Sequence, residues 1–367
     1  MKNFAKTEQN NHIESRQIAF AAAFLLPAAK LLEAPSLLAK YAKGDLLLPA
    51  LLHFILQAGV LFLLLLVASR SEKTLFERIN ERFGKGAFLF YLLFSLYYLF
   101  AAILPLLDLE KFIYAAFFDT APTVFTFAFF FVLSAFICTK GIKGIGRSAD
   151  LCLFLFLLPF LALLSMSLQT AEFSHLLPLF ETQFGHTMSA FTLTAPHFSD
   201  AVLLLPLIGN LRYKKGDGTK IMIGYGAGAI STLLFLAVFF SVYASLAPRE
   251  HYAFSKIAQY FPALRTIGRV DLIFIYLLTI VLLFFTCLPL QFATELTCQT
   301  FHIQQKTIFS AILNFGLFWF VLYCNKYYNA FYAFISGKAF FLFWLFTALA
   351  LLLLLLLPNP KKETNHA

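Results

Sequence analysis

Long apolar runs separated by short polar stretches recur from residue 17 to residue 357. A helix needs about 20 apolar residues to cross a bilayer. Ten spans follow from the runs, at residues 17–41, 46–68, 86–107, 122–138, 149–168, 188–211, 221–247, 272–292, 308–323 and 331–357. Two of them are interrupted. In the first, an apolar stretch over 18–29 meets Lys30 and Glu33 between two prolines, Pro27 and Pro35, before a shorter apolar run ends near Ala39. In the sixth, residues 188–195 form one short half, Pro196-His197-Phe198-Ser199-Asp200 breaks it, and residues 201–211 form the other. Proline withholds a backbone donor and clashes with the preceding turn. Non-helical backbone at membrane depth survives only where protein buries it or where it lines a wet cavity. The breaks therefore mark the candidate site: Pro27, Ala28, Ala29 and Lys30 in the first, and Thr194, Ala195, His197, Ser199 and Asp200 in the second.

Five spans separate one break from the other. Because five is odd, the second set of five starts from the opposite side. Two five-helix units of opposite topology, each opening on a broken helix, make the inverted-repeat transporter plan. The expected fold is an all-α polytopic membrane protein of ten transmembrane helices. Its parts are a tail (1–15), a first repeat (16–170), an outer loop (171–187), a second repeat (188–357) and a second tail (358–367). The N-terminal ends of half-helices carry positive dipole character and suit an anionic group. Carbonyls freed at a break accept from an ammonium or bind a cation. A zwitterion such as an amino acid satisfies both ends.

Composition agrees: 60% of the chain is hydrophobic and 13% charged, with 48 Phe. The net charge of +9 raises nucleic-acid binding as an alternative, but the basic residues sit in loops between spans. Eighteen Lys and Arg fall on the side of the N-terminus and nine on the other, with Lys30 inside a span. The positive-inside rule then puts both termini in the cytoplasm. The first 15 residues are polar and contain no apolar core of a cleaved signal peptide. The five cysteines show no CxxC or Cys/His metal spacing and read as packing residues. With no phosphate loop, HExxH or GxSxG, no catalytic residue, metal or cofactor is expected. Residues 70–85 alternate charges and read as a solvated helix on the cytoplasmic face. The outer stretch 248–269 is either an amphipathic segment in the interface or a lid over an outward-facing cavity.

Three segments carry a family resemblance. Gly141-Ile-Lys-Gly-Ile-Gly-Arg147-Ser-Ala-Asp150 leads into the fifth span, with Pro159 inside it. Ile267-Gly-Arg269-Val-Asp271 leads into the eighth, and Asp200-Ala-Val-Leu-Leu-Leu-Pro206 lies in the sixth. Their order and spacing resemble the spore-germination permeases, the B-type subunits of endospore germinant receptors. That family belongs to the amino acid–polyamine–organocation superfamily. The resemblance implies a five-plus-five, LeuT-like fold. It also implies a nutrient-sensing subunit of the spore inner membrane that works with A-type and C-type partners and is triggered by a small germinant, often an amino acid. One departure stands out: the superfamily's breaks are usually glycine-rich, and neither break here contains Gly. A side chain such as Lys30 or Phe198 takes the space a glycine would leave. A free-standing amino-acid or amine transporter coupled to Na+ or H+ is the other reading.

Individual side chains follow from this plan. Lys30 either snorkels outward or acts inside the membrane, binding a carboxylate or pairing with Glu33 or Asp200. Asp200 either caps the second half-helix or contacts the ligand directly. His197 is a loop histidine or a protonatable gate. In the implied fold the third and eighth spans flank the breaks, so Tyr97 and Thr279 join the ligand-binding set. Thr279 and Thr286 can instead bond back to their own helix. Glu33, Arg147, Asp150, Arg269 and Asp271 are structural or gating candidates, with Arg147 and Asp150 spaced to pair.

Overall fold

The computed structural model describes residues 13–71, 73–117, 123–178, 180–260, 271–301, 303, 305–335 and 337–352. Among these residues every regular element is helical. Seven helical stretches are long and apolar enough to cross a membrane by length and composition.

The first span begins as α1 (Ser15–Phe20), passes through a π turn (Ala21–Leu25) and continues as α2 (Leu26–Lys30). Pro27 does not end the helix. It has no N–H to offer the Ala23 carbonyl, and the π turn just upstream absorbs the missing bond. The chain leaves helical geometry only at residues 31–33 and resumes as α3 (Ala34–Ala42). Pro35 sits in the first turn of α3, where its missing donor costs nothing. The interruption expected across residues 27–35 is thus confined to three residues near its middle.

Next come α4 (Leu47–Ala68), α5 (Leu75–Phe83), α6 (Ala87–Phe117), α7 (Thr123–Thr139) and α8 (Ile142–Ser167). The sixth span is α9 (Phe184–Thr194), a 3-10 turn (Ala195–Phe198) and α10 (Asp200–Gly209). Then follow α11 (Asp217–Tyr243), the short α12 (Ala253–Tyr260), α13 (Asp271–Thr300) and α14 (Lys306–Lys326). The last apolar run, expected as one span, is divided between α15 (Tyr328–Ile335) and α16 (Lys338–Leu352). The first and sixth spans are interrupted, as the sequence predicts, and the last is divided as well.

Helix α10 is buried along its whole length and forms the centre of the bundle. The second half of the first span, α3, packs on α9, the first half of the sixth. The other half, α1 with its π turn, packs on α8 and α11. That second contact is a backbone-to-backbone approach. Gly224 and Gly228 of α11 face Ala19 and Ala22, and a Cβ at either glycine would run into a main-chain carbonyl. Small residues let membrane helices come this close.

One loop differs from expectation. The charged stretch 70–85 is not simply solvated. A Thr74–Glu77 capping box opens α5, whose Leu75, Phe76 and Ile79 are buried. The Phe76 ring lies against Gly209 at the end of α10, where a Cβ would meet it at 2.6 Å. Helix α12 packs an apolar face on the bundle. Ala253, Phe254, Ile257 and Ala258 are all buried inside the bundle, so the segment has the placement of a lid.

Candidate functional site

Each break leaves backbone groups without helical partners, and a buried polar group must be satisfied by something else. Helix α2 ends at Lys30 and α10 starts at Asp200, which sets the two charges at facing edges of the breaks. Lys30 Nζ lies 2.6 Å from Asp200 Oδ1, and the side chains are only 3% and 1% exposed. The same ammonium donates to the Leu26 carbonyl at 3.2 Å. It also stands over the Phe198 ring, 5.6 Å from the centroid. From α11, the Tyr225 hydroxyl donates to Asp200 Oδ2 at 3.2 Å. Each charge therefore has an opposite charge and a further hydrogen bond, the conditions under which a buried pair is tolerated.

Helix α4 braces the second break. The His53 ring is sandwiched between Phe191 and Phe198, with centroids 4.0 and 4.6 Å away, and its Nε2–H donates to the Phe191 carbonyl at 2.9 Å. One turn on, Gln57 Oε1 accepts from the Ala201 amide at 3.0 Å. Thr194 Oγ1 donates to the Ala190 carbonyl at 2.7 Å and lies 3.3 Å from His53 Nε2. From α6, the Tyr98 hydroxyl donates to the Val202 carbonyl at 2.7 Å. Its neighbour Tyr97 is buried too, its ring edge-on to that of Tyr98 with centroids 5.6 Å apart.

The lid closes the first break. The amides of Ala253 and Phe254 donate to the Leu32 and Leu31 carbonyls, both at 3.1 Å. These are carbonyls that the broken helix leaves without intrahelical partners, and an unpaired carbonyl in apolar surroundings is costly. His251 Nδ1 lies 3.1 Å from Glu33 Oε2, and the Tyr252 ring packs 5.5 Å from that of Phe112. The Glu33 contact pushes the His251 imidazole above its ordinary value, because the hydrogen bond to the carboxylate favours the protonated ring.

Of the residues singled out by sequence, Lys30, Tyr97, Thr194, Ala195, Ser199 and Asp200 gather at this contact, all buried. Pro27 and Ala28 are buried in α2 and Ala29 is half-buried there. His197 is half-buried in the 3-10 turn. Thr279 is not brought in, since its hydroxyl donates to Ile275 in its own helix at 2.8 Å. Two pairings differ from expectation, and Lys30 takes Asp200, one of its two expected partners. Asp200 does not cap α10; Gln57 serves the Ala201 amide and the carboxylate takes the ammonium, a stronger partner than an amide. Glu33 pairs with the lid rather than with Lys30. Asp150 faces α1 instead of Arg147, with Gln17 Nε2 at 3.2 Å and Arg16 Nη2 at 3.6 Å. Asp271 is buried at the first position of α13, and Arg269 lies outside the described residues.

Sequence reasoning missed His53, Gln57 and Tyr225. A signal was available for the first two. They are polar, four residues apart, and share one face of an otherwise apolar span, which inside a membrane marks a site. Tyr225 stands in a glycine-dense stretch, Gly224-Tyr225-Gly226, where close helix approach is to be expected. Among the described residues, no group of three or more His, Cys, Asp or Glu side chains is arranged to hold a metal ion.

A family model described as spore germination protein matches residues 12–329. Among solved structures, the chain is similar to Mhp1, a nucleobase-cation-symport-1 family transporter, in a closed conformation with bromovinylhydantoin bound. The identity is 15% over 83% of this chain and 71% of that one, with a TM-score of 0.39. The inward-facing conformation of Mhp1 is 12% identical over 90% of this chain and 74% of that one, with a TM-score of 0.38. No curated protein matches.

Proposed function

The chain belongs to the spore germination protein family, and from that premise we propose that it is the permease-like, nutrient-sensing subunit of a spore germinant receptor. It sits in the spore inner membrane with both termini in the cytoplasm and works with A-type and C-type subunits. Its ligand is a small germinant, an amino acid by charge, taken between the two broken helices.

The observation that carries this reading is the Lys30–Asp200 pair, a lysine from one break held by an aspartate from the other. A zwitterion can insert into such a pair with its carboxylate on Lys30 and its ammonium on Asp200, so that every charge stays compensated. A ligand with one charge would leave one buried partner exposed to apolar surroundings, which costs several kcal/mol, roughly 3–5 when a buried pair is broken from one side. Ser199 adjoins Asp200 and Tyr225 is bonded to it, so both bring hydroxyls to a polar ligand.

The test is germination of spores whose receptor carries Lys30→Ala or Asp200→Asn. Each variant is expected to reach the membrane at the wild-type level and to shift the dose-response to an amino-acid germinant by about tenfold or more, the equivalent of 1.4 kcal/mol. Dose-response curves that superimpose on wild type for both variants would remove this site from ligand recognition.

A further inference from the structure

The acceptors around Lys30 have the chemistry of a monovalent-cation site. They are one carboxylate oxygen of Asp200, the main-chain carbonyl of Leu26 and the face of the Phe198 ring. Hard cations are held by carboxylate and carbonyl oxygens, and organic cations also by aromatic faces. The second carboxylate oxygen is fixed by Tyr225, so the acceptor cannot turn away. The position joins the two breaks, and Lys30 reaches it from one of them with a side chain only 3% exposed. We propose that the Lys30 ammonium is the resident cation of this site: the chain joins its two broken helices with a covalently tethered positive charge and needs no dissolved alkali cation there.

Two consequences separate this from an ordinary structural ion pair. First, exchanging the alkali ion in solution leaves the wild-type protein unaffected, because the position is filled from within. Second, shortening Lys30 opens a cation site whose acceptors stay in place. The missing stem leaves room for a small alkylammonium ion, and anything that binds the folded state alone raises the unfolding midpoint by mass action.

The experiment is thermal unfolding of the purified full-length protein in detergent, in NaCl, KCl or choline chloride at one ionic strength, with and without ethylammonium or propylammonium chloride. Wild type is expected to unfold at one temperature in all of these. Lys30→Ala is expected to unfold several degrees lower and to regain most of the loss, saturably, with an alkylammonium ion or Na+. Lys30→Ala combined with Asp200→Asn removes the charge that calls for a cation. It is expected to lose the salt response and to be more stable than Lys30→Ala in choline. A saturable dependence of wild type on Na+ would overturn the proposal. So would a Lys30→Ala protein that no cation stabilises, or a double variant that responds as the single one does. If Lys30→Ala does not fold without a cation, its recovery on purification in alkylammonium supports the proposal, and failure in every salt while the double variant folds counts against it. No germinant is present in this assay, so its outcome is independent of whether spores carrying the variants change their response.

Discussion

At the scale of single residues, the cost of a substitution depends on whether anything else can take over the group it served. Gln57 is buried, and its Oε1 satisfies the Ala201 amide at the start of α10. Gln57→Leu leaves that amide unpartnered, a cost of about 1–3 kcal/mol, and is expected to lower the unfolding midpoint. Gln57→Glu keeps an acceptor and should lower it less. If the leucine variant proves the more stable of the two, the amide is not served by this side chain. The glycines of α11 allow a sharper comparison. Gly228 faces the Ala22 carbonyl, whereas Gly226 has nothing within 4 Å of where a Cβ would stand. Gly228→Ala should cost about 1–3 kcal/mol by overpacking. Gly226→Ala should be neutral or gain about 0.5–1 kcal/mol from lost unfolded-state entropy. Reversed ordering in a melting experiment would place the helices further apart than described. The charged residues of the site were legible in the sequence, because a lysine and an aspartate inside apolar runs have few harmless explanations. Which partner each would choose was not. Lys30 and Asp200 are 170 residues apart, and Gln17 and Asp150 are 133 apart, so these pairings are tertiary facts with no local trace.

At the scale of elements, the lid is the part whose state should follow pH. Helix α12 is held to the first break by two amide-to-carbonyl bonds and by the His251–Glu33 contact. The charged groups around His251 are Glu33, Glu250 and Lys40, and the Glu33 hydrogen bond dominates in raising the imidazole above its ordinary 6.5. A raised value in the closed state means that protonation and closure favour one another. The contribution is fully present below about pH 6.5 and is lost as pH rises through the raised value. Hydrogen exchange at the Ala253 and Phe254 amides should therefore speed up across that window by more than the intrinsic rate does. His251→Gln should flatten the excess, and an excess that survives the substitution would assign it to another group. The polar and aromatic make-up of residues 248–269 left interface and lid both open at the sequence level. An amphipathic segment has the same pattern whether its apolar face meets lipid or protein, so periodicity alone could not choose.

At the scale of the whole molecule, the span plan was legible because bilayer thickness sets a length that apolar runs must match. Both interrupted spans were legible for the same reason, each half being too short to cross alone. The position of the first break was not, because Pro27 suggests an interruption and the π turn at residues 21–25 removes it. That turn has a consequence of its own. A π turn holds one residue more than the α turn it replaces, so taking that residue out leaves an α turn, with the helix beyond it at the same angular setting. Pro27 then meets the preceding turn with no π turn to absorb it. Deleting Ala23 should therefore keep Lys30 on Asp200 and lower the melting temperature without the response to alkylammonium that Lys30→Ala gains. A deletion variant that melts like Lys30→Ala and responds to alkylammonium would mean that the helix beyond the turn rotates instead. With the π turn in place, the first helix carries an expansion joint: one extra residue takes up the proline, and the tethered charge keeps its angular setting.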